Sequence, residues 1–253
     1  MENFPYQLTG PIGTGATLGL VVLQTDETVE QDFRRLFRAD DTALYVTRIP
    51  SGADVTPDTL RAMQKALPEA TRLLPAAAEF DCVSYCCTSG ATLIGPDNVA
   101  RIVRENASVR AVTDPLTASR AACKAVGAEK LAIVSPYIAA VAAPISDAFS
   151  EAGFKVTGAL SFGEEIEARV ARIDPASIHT AALSAGESSD CDAVFLSCTN
   201  LRTLDIIDDL EERLGKPVIS SNQALAWHTA GLAGGTALDH PPGRLFRHPG
   251  SGS

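Results

Sequence analysis

The sequence has little of what a membrane or secreted protein requires. Its longest apolar region, residues 131–145, is interrupted by Pro136 and Pro144, whereas a membrane-spanning helix takes roughly 20 consecutive apolar residues. The opening residues MENFPYQLTG contain no basic start followed by an apolar run, so they predict no secretory signal. We therefore expect a cytoplasmic protein that has no membrane partner.

Metal ligands and positive charge are also scarce. The four histidines are late and dispersed, and the six cysteines show no C-x-x-C spacing, so we predict neither a metal site nor a disulfide framework. The formal net charge of −10 argues against nucleic acid as the main partner, because phosphate binding needs a basic patch. It does not exclude an anionic small molecule, because a local site can differ in sign from the whole.

The sequence does contain an alternation of short apolar runs and longer amphipathic stretches, which is typical of β–α units around parallel sheets. Strands are predicted over residues 17–24, 43–49, 82–87, 109–113, 130–135, 155–160, 193–198 and 217–221. Helices are predicted over residues 56–78, 96–106, 115–126, 138–152, 175–187 and 200–214.

Two halves of this pattern share residues as well as spacing. The segments DCVSYCCTS (81–89) and DAVFLSCTN (192–200) each carry an Asp six residues before a Cys-Thr pair. Val112 precedes Ala118 by six residues, and Val218 precedes Ala224 by the same interval. Coincidental spacing is the alternative, but the matching residue types favour a repeat. We predict an α/β fold with two pseudo-symmetric lobes, each a four-stranded parallel sheet flanked by helices.

The matched cysteines, Cys87 and Cys198, are the main candidates for chemistry. Ligands of open parallel sheets bind beyond the carboxyl ends of strands, and two facing lobes would bring both thiols and the loop after the first strand to one cleft. Small polar residues follow each thiol, where a helix N-terminus would lower the thiol pKa and bind a carboxylate. Gly90 would relieve crowding beside a ligand. The other four cysteines are expected in the core, and core burial is the alternative for either candidate taken singly.

The segments YCCTSGAT, IVSPYIAAV and LSCTNLRTLD resemble the maleate isomerase and arylmalonate decarboxylase family, within the aspartate/glutamate racemase superfamily. The resemblance implies a cofactor-independent enzyme with its active site between two lobes and a last helix that crosses back to the first lobe. We accordingly expect a small carboxylate substrate and a homo-oligomer. The expected division is an N-terminal lobe of residues 1–115 completed by 222–253, and a C-terminal lobe of residues 116–221.

The resemblance also implies residue roles. The family's two catalytic cysteines fall on Cys87 and Cys198, and its site tyrosine falls on Tyr137, for which local packing is the alternative. A cis–trans isomerase would add Cys87 to the alkene and move a proton with Cys198, whereas a racemase would use the two thiols as base and acid. Decarboxylases of the family keep only the second cysteine, so decarboxylation ranks below these two reactions. The expected substrate-binding set comprises Thr25, Asp26, Thr88, Ser89, Tyr137, Thr199 and Asn200.

One segment departs from the family. In LQTDETVE, Asp26 stands where maleate isomerases carry an Asn that contacts a substrate carboxylate. An ionised Asp would repel a dicarboxylate and suit a cationic nitrogen group, as in the ectoine-utilisation branch of the superfamily; capping of a helix near Glu27 is the alternative. Glu164, Glu165 and Glu167 are expected on a solvated helix face. A non-catalytic small-molecule binding protein is a further alternative for the chain.

Overall fold

The computed structural model describes residues 3–54, 56–188, 190–236 and 238–248, which contain eight strands and ten α-helices. The strands are β1 Ala16–Leu23, β2 Thr42–Ile49, β3 Phe80–Cys86, β4 Val109–Thr113, β5 Lys130–Tyr137, β6 Lys155–Glu164, β7 Ala193–Leu196 and β8 Val218–Ser220. The helices are α1 Val29–Leu36, α2 Pro57–Arg72, α3 Thr88–Ile94, α4 Pro96–Asn106, α5 Pro115–Ala125, α6 Ala139–Glu151, α7 Glu167–Val170, α8 Pro175–Ser188, α9 Ile207–Leu214 and α10 Ser221–Leu232. None of these helices is both long and apolar enough to span a membrane.

The strands form two four-stranded parallel sheets with the same internal order. The first sheet runs β2-β1-β3-β4 and the second runs β6-β5-β7-β8. In both sheets, therefore, the first and third strands in chain order lie in the middle. This arrangement confirms the predicted pair of pseudo-symmetric parallel sheets. The division into lobes at residues 115 and 221 stays a prediction.

The middle strands are mostly apolar because helices cover the sheets and leave little strand surface to solvent. Seven of the eight residues of β1 are buried, and all four residues of β7 are buried, as expected for strands buried on both faces of a parallel sheet. The edge strand β6 differs, since Leu160 and Phe162 on it are exposed. Cys82, Cys86, Cys123 and Cys191 are buried, as expected of core cysteines.

The repeated aspartates have the same structural role in the two halves. Asp81 Oδ2 accepts a hydrogen bond from the backbone N–H of Thr17 (2.9 Å), at the start of β1. Asp192 Oδ2 accepts one from the backbone N–H of Lys130 (2.8 Å), at the start of β5. Each aspartate thus joins the entrance of a thiol-bearing strand to the neighbouring middle strand, which explains why the spacing to the cysteine is repeated.

The two halves also exchange helices. Helix α10 follows β8 of the second sheet but packs against β3, β4 and α5, while α5 contacts β8. Both helices begin at equivalent capped positions: Asp114 Oδ1 accepts from the N–H groups of Leu116 and Thr117, and the Ser220 hydroxyl accepts from the N–H of Gln223. The expected return of the last helix to the first half is therefore present.

Several stretches differ from the predicted elements: α1, α3 and α7 are not among the predicted helix ranges, and β6 extends four residues beyond residue 160. Helix α2 ends at Arg72 instead of residue 78, because Pro75 disfavours helical geometry in the residue before it. The helix predicted from residue 200 begins at residue 207, after a 3-10 turn at 204–206, because residues 197–203 form contacts at the end of β7. The C-terminal segment, which has no regular pattern in the sequence, packs on α10 through hydrogen bonds from Gln223 to Pro242 and from Trp227 to His248; residues 249–253 lie outside the described residues.

Asp32 on α1 generates a pH-dependent prediction about stability. Its carboxylate is buried and accepts a 2.7 Å hydrogen bond from Asn222 on α10, and burial raises its pKa to about 7 against this opposing bond. Because the folded pKa exceeds the unfolded value, folding takes up protons between about pH 4 and pH 7, and stability falls as pH rises through that window. We expect the free energy of unfolding of Asp32→Asn, measured by urea denaturation, to exceed that of wild type by about 2–4 kcal/mol at pH 8. At pH 4 the two free energies should be equal.

The matched control is Asp147→Asn on α6, where the aspartate is exposed. This variant should follow the wild-type dependence of unfolding free energy on pH. Parallel pH profiles for wild type and Asp32→Asn would contradict the assignment of the shift to Asp32.

Candidate functional site

The site forms where the middle strands of both sheets end. Thr25 lies just beyond β1 and Cys87 just beyond β3, while Tyr137 ends β5 and Cys198 lies just beyond β7. The carboxyl ends of parallel strands are where ligands bind in such sheets. The repeat therefore brings one thiol from each half to the same region of the molecule.

Cys87 is the residue at which β3 passes into α3. Its Sγ accepts a hydrogen bond from the backbone N–H of Gly90 (3.2 Å), and the Ser89 hydroxyl lies 3.6 Å from the sulfur. The thiol thus acts as the N-cap of the helix. Gly90 is required by protein crowding rather than by ligand approach, since a Cβ there would lie 2.5 Å from the Tyr85 hydroxyl and 3.0 Å from the Cys87 sulfur.

Cys198 has a hydroxyl neighbour in addition to a backbone donor. The Tyr137 hydroxyl and Cys198 Sγ are 2.8 Å apart and share a hydrogen bond, and the backbone N–H of Asn200 donates to the same sulfur at 3.2 Å. The backbone N–H of Cys198 donates to the Ser221 hydroxyl at the start of α10 (3.1 Å). The tyrosine thus contacts the second thiol directly, beyond simple local packing.

Two threonines beside the thiols join the two halves. The Thr88 hydroxyl shares a 2.9 Å hydrogen bond with Ser221, the residue that also holds the backbone of Cys198. In the opposite direction, the Thr199 hydroxyl donates to the carbonyl of Cys86 at 3.3 Å. These hydroxyls, which the sequence predicts as substrate contacts, are thus engaged with the protein and fix the two thiol-bearing turns relative to each other.

Asn200 is likewise occupied by protein groups. Its Oδ1 accepts from the backbone N–H of Glu27 (2.9 Å), and its Nδ2 donates to Glu167 Oε1 (2.9 Å). The Thr28 hydroxyl donates to its carbonyl oxygen at 3.1 Å. Asn200 therefore connects the turn after β7 with the turn after β1 and with α7, and its side chain has a positioning role in the structure.

Glu167 is a site residue that the sequence pattern missed, and its expected place on a solvated helix face is wrong. It is 3% exposed, and its Oε2 has no hydrogen-bond partner among the described residues. The available signal was its spacing, because Val170 lies three residues later on the same helix face and is fully buried. Burial raises the pKa of Glu167 to about 7, helped by nearby Asp26 and opposed by the Asn200 hydrogen bond.

Asp26 caps α1, as the alternative interpretation had it. Its Oδ1 accepts from the backbone N–H groups of Thr28 (2.8 Å) and Val29 (2.9 Å). Burial raises its pKa, while these two bonds and the nearby Thr199 hydroxyl lower it, although Thr199 Oγ1 is directed to the Cys86 carbonyl. Asp26 Oδ2 is buried without a hydrogen-bond partner, so capping uses only one of its two oxygens.

The expected lowering of the thiol pKa is wrong for this state of the protein. Burial raises the pKa of Cys87 to about 12 despite the hydrogen bonds from Ser89 and Gly90, and nearby Glu167 and Asp26 raise it further. Burial also raises the pKa of Cys198 well above its usual range, with Glu167 the next contributor. Both thiols are therefore neutral at physiological pH, because desolvation outweighs the backbone donors.

A narrow cavity with room for about one water molecule lies beside these groups. It is covered by the connection between β2 and α2, which is attached to the start of α7 by a hydrogen bond from the Glu167 N–H to the Ala53 carbonyl (3.0 Å). The cavity is lined by Leu23, Thr25, Ser51, Gly52, Asp54, Thr59, Leu60, Met63, Ser89, Tyr137 and Glu167.

Gly90→Ala tests the packing around the first thiol. The added methyl group would overlap the hydroxyl of the fully buried Tyr85, which has no free space to retreat. We expect the variant to lose about 1–3 kcal/mol of unfolding free energy, measured by urea denaturation. Gly10→Ala is the control, because a Cβ at Gly10 meets no atom within 4 Å; equal stability of the two variants would contradict the predicted overlap.

Comparison with known proteins identifies the family to which this geometry belongs. A family model described as arylmalonate decarboxylase matches residues 55–246. The arylmalonate decarboxylase of Bordetella bronchiseptica is 31% identical over 235 residues, which cover 91% of this chain and 96% of that protein. The resemblance expected from the cysteine motifs is thereby confirmed.

Solved structures agree in fold over nearly the whole chain. A liganded double mutant of arylmalonate decarboxylase superposes with a TM-score of 0.82 at 29% identity, covering 91% of this chain and 98% of that one. A mutant of the Nocardia farcinica maleate cis–trans isomerase with a covalently bound succinylcysteine intermediate has a TM-score of 0.78 at 22% identity, covering 92% and 98%; at that identity the likeness concerns the fold alone. The chain belongs to the arylmalonate decarboxylase family of enzymes.

Proposed function

We propose that the protein is a cofactor-independent isomerase or racemase that acts on a small carboxylic acid through Cys87 and Cys198. The observation that carries the proposal is the matched placement of the two thiols. Each follows a middle strand of its sheet, and each sulfur accepts a backbone N–H within three residues. Tyr137 and Glu167 interact electrostatically with both thiols, which supports a single shared site.

In the isomerase form of the proposal, Cys87 releases its proton to solvent as the substrate binds, recovers it when the product leaves, and in between adds its sulfur to one carbon of the substrate's double bond. The electron pair of that bond moves onto the neighbouring carbon and its carboxylate, and rotation about the resulting single bond follows. Expulsion of the sulfur restores the double bond in the other geometry, and Cys198 supplies and retrieves a proton. The succinylcysteine held by the Nocardia farcinica enzyme supports thiol addition as chemistry that this fold can host.

In the racemase form, one thiolate removes the proton from the α-carbon and the opposite thiol donates a proton to the other face. Both forms need one ionised and one neutral thiol. Burial raises the pKa of both thiols, so the proposal requires that substrate binding remove a proton from one sulfur. Tyr137, which shares a hydrogen bond with Cys198, is the proposed contact for the substrate's carboxylate or enolate oxygen.

Decarboxylation of an arylmalonate-type acid is the second candidate. The family model and the 31% identical relative both carry that name, and Leu23, Leu60 and Met63 give the cavity an apolar side. One proton donor suffices for this reaction, whereas the chain retains two thiols in equivalent positions. Isomerisation or racemisation therefore ranks first.

The proposal extends to setting and assembly. All six cysteines are free thiols, which suits the reducing cytoplasm. We further propose a homo-oligomer and, among substrates, include nitrogen-bearing acids such as those of ectoine utilisation, because Asp26 leaves one carboxylate oxygen unpaired.

Proton NMR in heavy water tests the two-thiol reaction. Wild type, Cys87→Ala and Cys198→Ala are compared on pooled maleate, amino acids, aryl malonates and ectoine-type acids. We expect an alkene signal that changes isomer, or deuterium at an α-carbon, with wild type, and a loss of at least about 100-fold in rate in each variant.

Cys123→Ala is the control, because Cys123 is a buried thiol on α5 outside the site. Its rate should stay within about twofold of wild type. If Cys87→Ala still releases carbon dioxide from a substrate and Cys198→Ala does not, the protein is a decarboxylase and not an isomerase or racemase.

A further inference from the structure

Among the described residues, no Lys, Arg or His side chain forms an ion pair with either of the two acids beside the thiols, whose carboxylates accept instead from backbone N–H groups and from Asn200. We propose that Glu167, together with Asp26, selects a carboxylic acid that carries a cationic nitrogen group, an inference that rests on the two-thiol function proposed above. Glu167 would be the principal contact because it lines the cavity itself. The inference narrows the substrates from carboxylic acids in general to those that also carry a cationic nitrogen group.

Glu167 is held with one oxygen committed and one available. Its Oε1 accepts from Asn200 Nδ2 at 2.9 Å, and its backbone N–H is bound to Ala53, so the side chain is fixed at both ends. Glu167 lines the cavity although it is only 3% exposed, and its Oε2 has no hydrogen-bond partner among the described residues. That oxygen is therefore available to a cationic N–H group of a substrate.

Asp26 also has one carboxylate oxygen that accepts hydrogen bonds and one that has no partner. Its Oδ1 caps α1, and its Oδ2 is buried without a partner. The negative charge of Asp26 raises the pKa of Glu167, so the two carboxylates repel each other. A bound cation would offset this repulsion and favour the ionised form of Glu167.

The protein does not provide that charge itself. No Lys, Arg or His is among the described residues that line the cavity. Arg48 on β2 donates to the backbone carbonyl oxygens of Leu23 and Asp26 and to the Glu30 carboxylate. Its charge lowers the pKa of Asp26, but its guanidinium donates no hydrogen bond to the Asp26 carboxylate.

The same cavity contains neutral donors for a substrate's carboxylate. Hydroxyl groups of Thr25, Ser51, Ser89 and Tyr137 line it. A ligand with a carboxylate at the hydroxyls and an ammonium or amidinium at Glu167 would satisfy both kinds of group. A dicarboxylate would place a second negative charge against Glu167 and Asp26, which is unfavourable in a buried site.

Such a ligand would also prepare the thiols for chemistry. The negative charge of Glu167 disfavours the thiolate form of both Cys87 and Cys198. Pairing that charge with a substrate cation removes the repulsion and lowers the pKa of both thiols. The Glu167 carboxylate would therefore both bind the substrate's cationic nitrogen and control the ionisation of the thiols.

Isothermal titration with three matched acids tests the inference. In 3-aminopropionate, butyrate and succinate, an ammonium, a methyl or a carboxylate occupies a corresponding position relative to a shared carboxylate. Wild type should bind 3-aminopropionate at least about tenfold more tightly than the other two. Glu167→Gln, whose amide oxygen still accepts from Asn200, should weaken 3-aminopropionate binding by about tenfold or more and leave butyrate binding within about twofold.

Two further variants separate the possible outcomes. Glu165→Gln changes an exposed acid of the same segment and should bind all three acids like wild type, while Asp26→Asn retains the cap and should weaken only 3-aminopropionate. Failure of wild type to bind 3-aminopropionate, a preference for succinate, or an unchanged preference in Glu167→Gln would overturn the inference. If the inferred recognition is correct, Cys87→Ala should still prefer 3-aminopropionate over butyrate and succinate. This binding result does not depend on whether turnover by Cys87→Ala supports or contradicts the two-thiol function.

Discussion

The site depends on hydrogen bonds that hold two buried thiol-bearing turns from different sheets against each other. Ser221 binds both the backbone of Cys198 and the Thr88 hydroxyl, and Thr199 binds the carbonyl of Cys86. Asn200 attaches the same region to the turn after β1 and to Glu167. These polar groups are buried, so each missing partner would carry a desolvation cost. The arrangement therefore fixes the positions of the thiols before any substrate is present.

The repeat explains why the two turns meet. Both sheets have the same strand order, and equivalent aspartates, Asp81 and Asp192, anchor equivalent middle strands. The exchange of α5 and α10 between the halves then places the start of α10, including Ser221, beside both thiol turns. A chemically asymmetric site results from this near-symmetric frame, since Cys198 has a tyrosine hydroxyl and Cys87 has a serine hydroxyl beside it.

Periodicity and residue matching predict most of the frame, because apolar strands buried on both faces and repeated caps leave clear local patterns. The cysteine pair and Tyr137 are predictable from the motifs around them. For Glu167 the sequence offers only its spacing to Val170, because its contact with the β2–α2 connection joins segments that are distant in sequence. The direction of the thiol pKa shift likewise cannot be predicted from the local sequence. The segment CTSG indicates the helix-end donors that lower the pKa, but it does not indicate the burial that raises it.

The proposed reaction starts from two neutral thiols, because burial and the nearby acid Glu167 raise the pKa of both, and it requires that substrate binding lower the pKa of one of them. The most direct test is a ¹³Cβ-cysteine NMR titration of the unliganded protein, with Cys87→Ala and Cys198→Ala used to assign the two resonances. We predict that neither resonance titrates up to about pH 9. A titration midpoint below about 8.5 for either thiol would mean that it is activated by the protein alone, and would contradict this account.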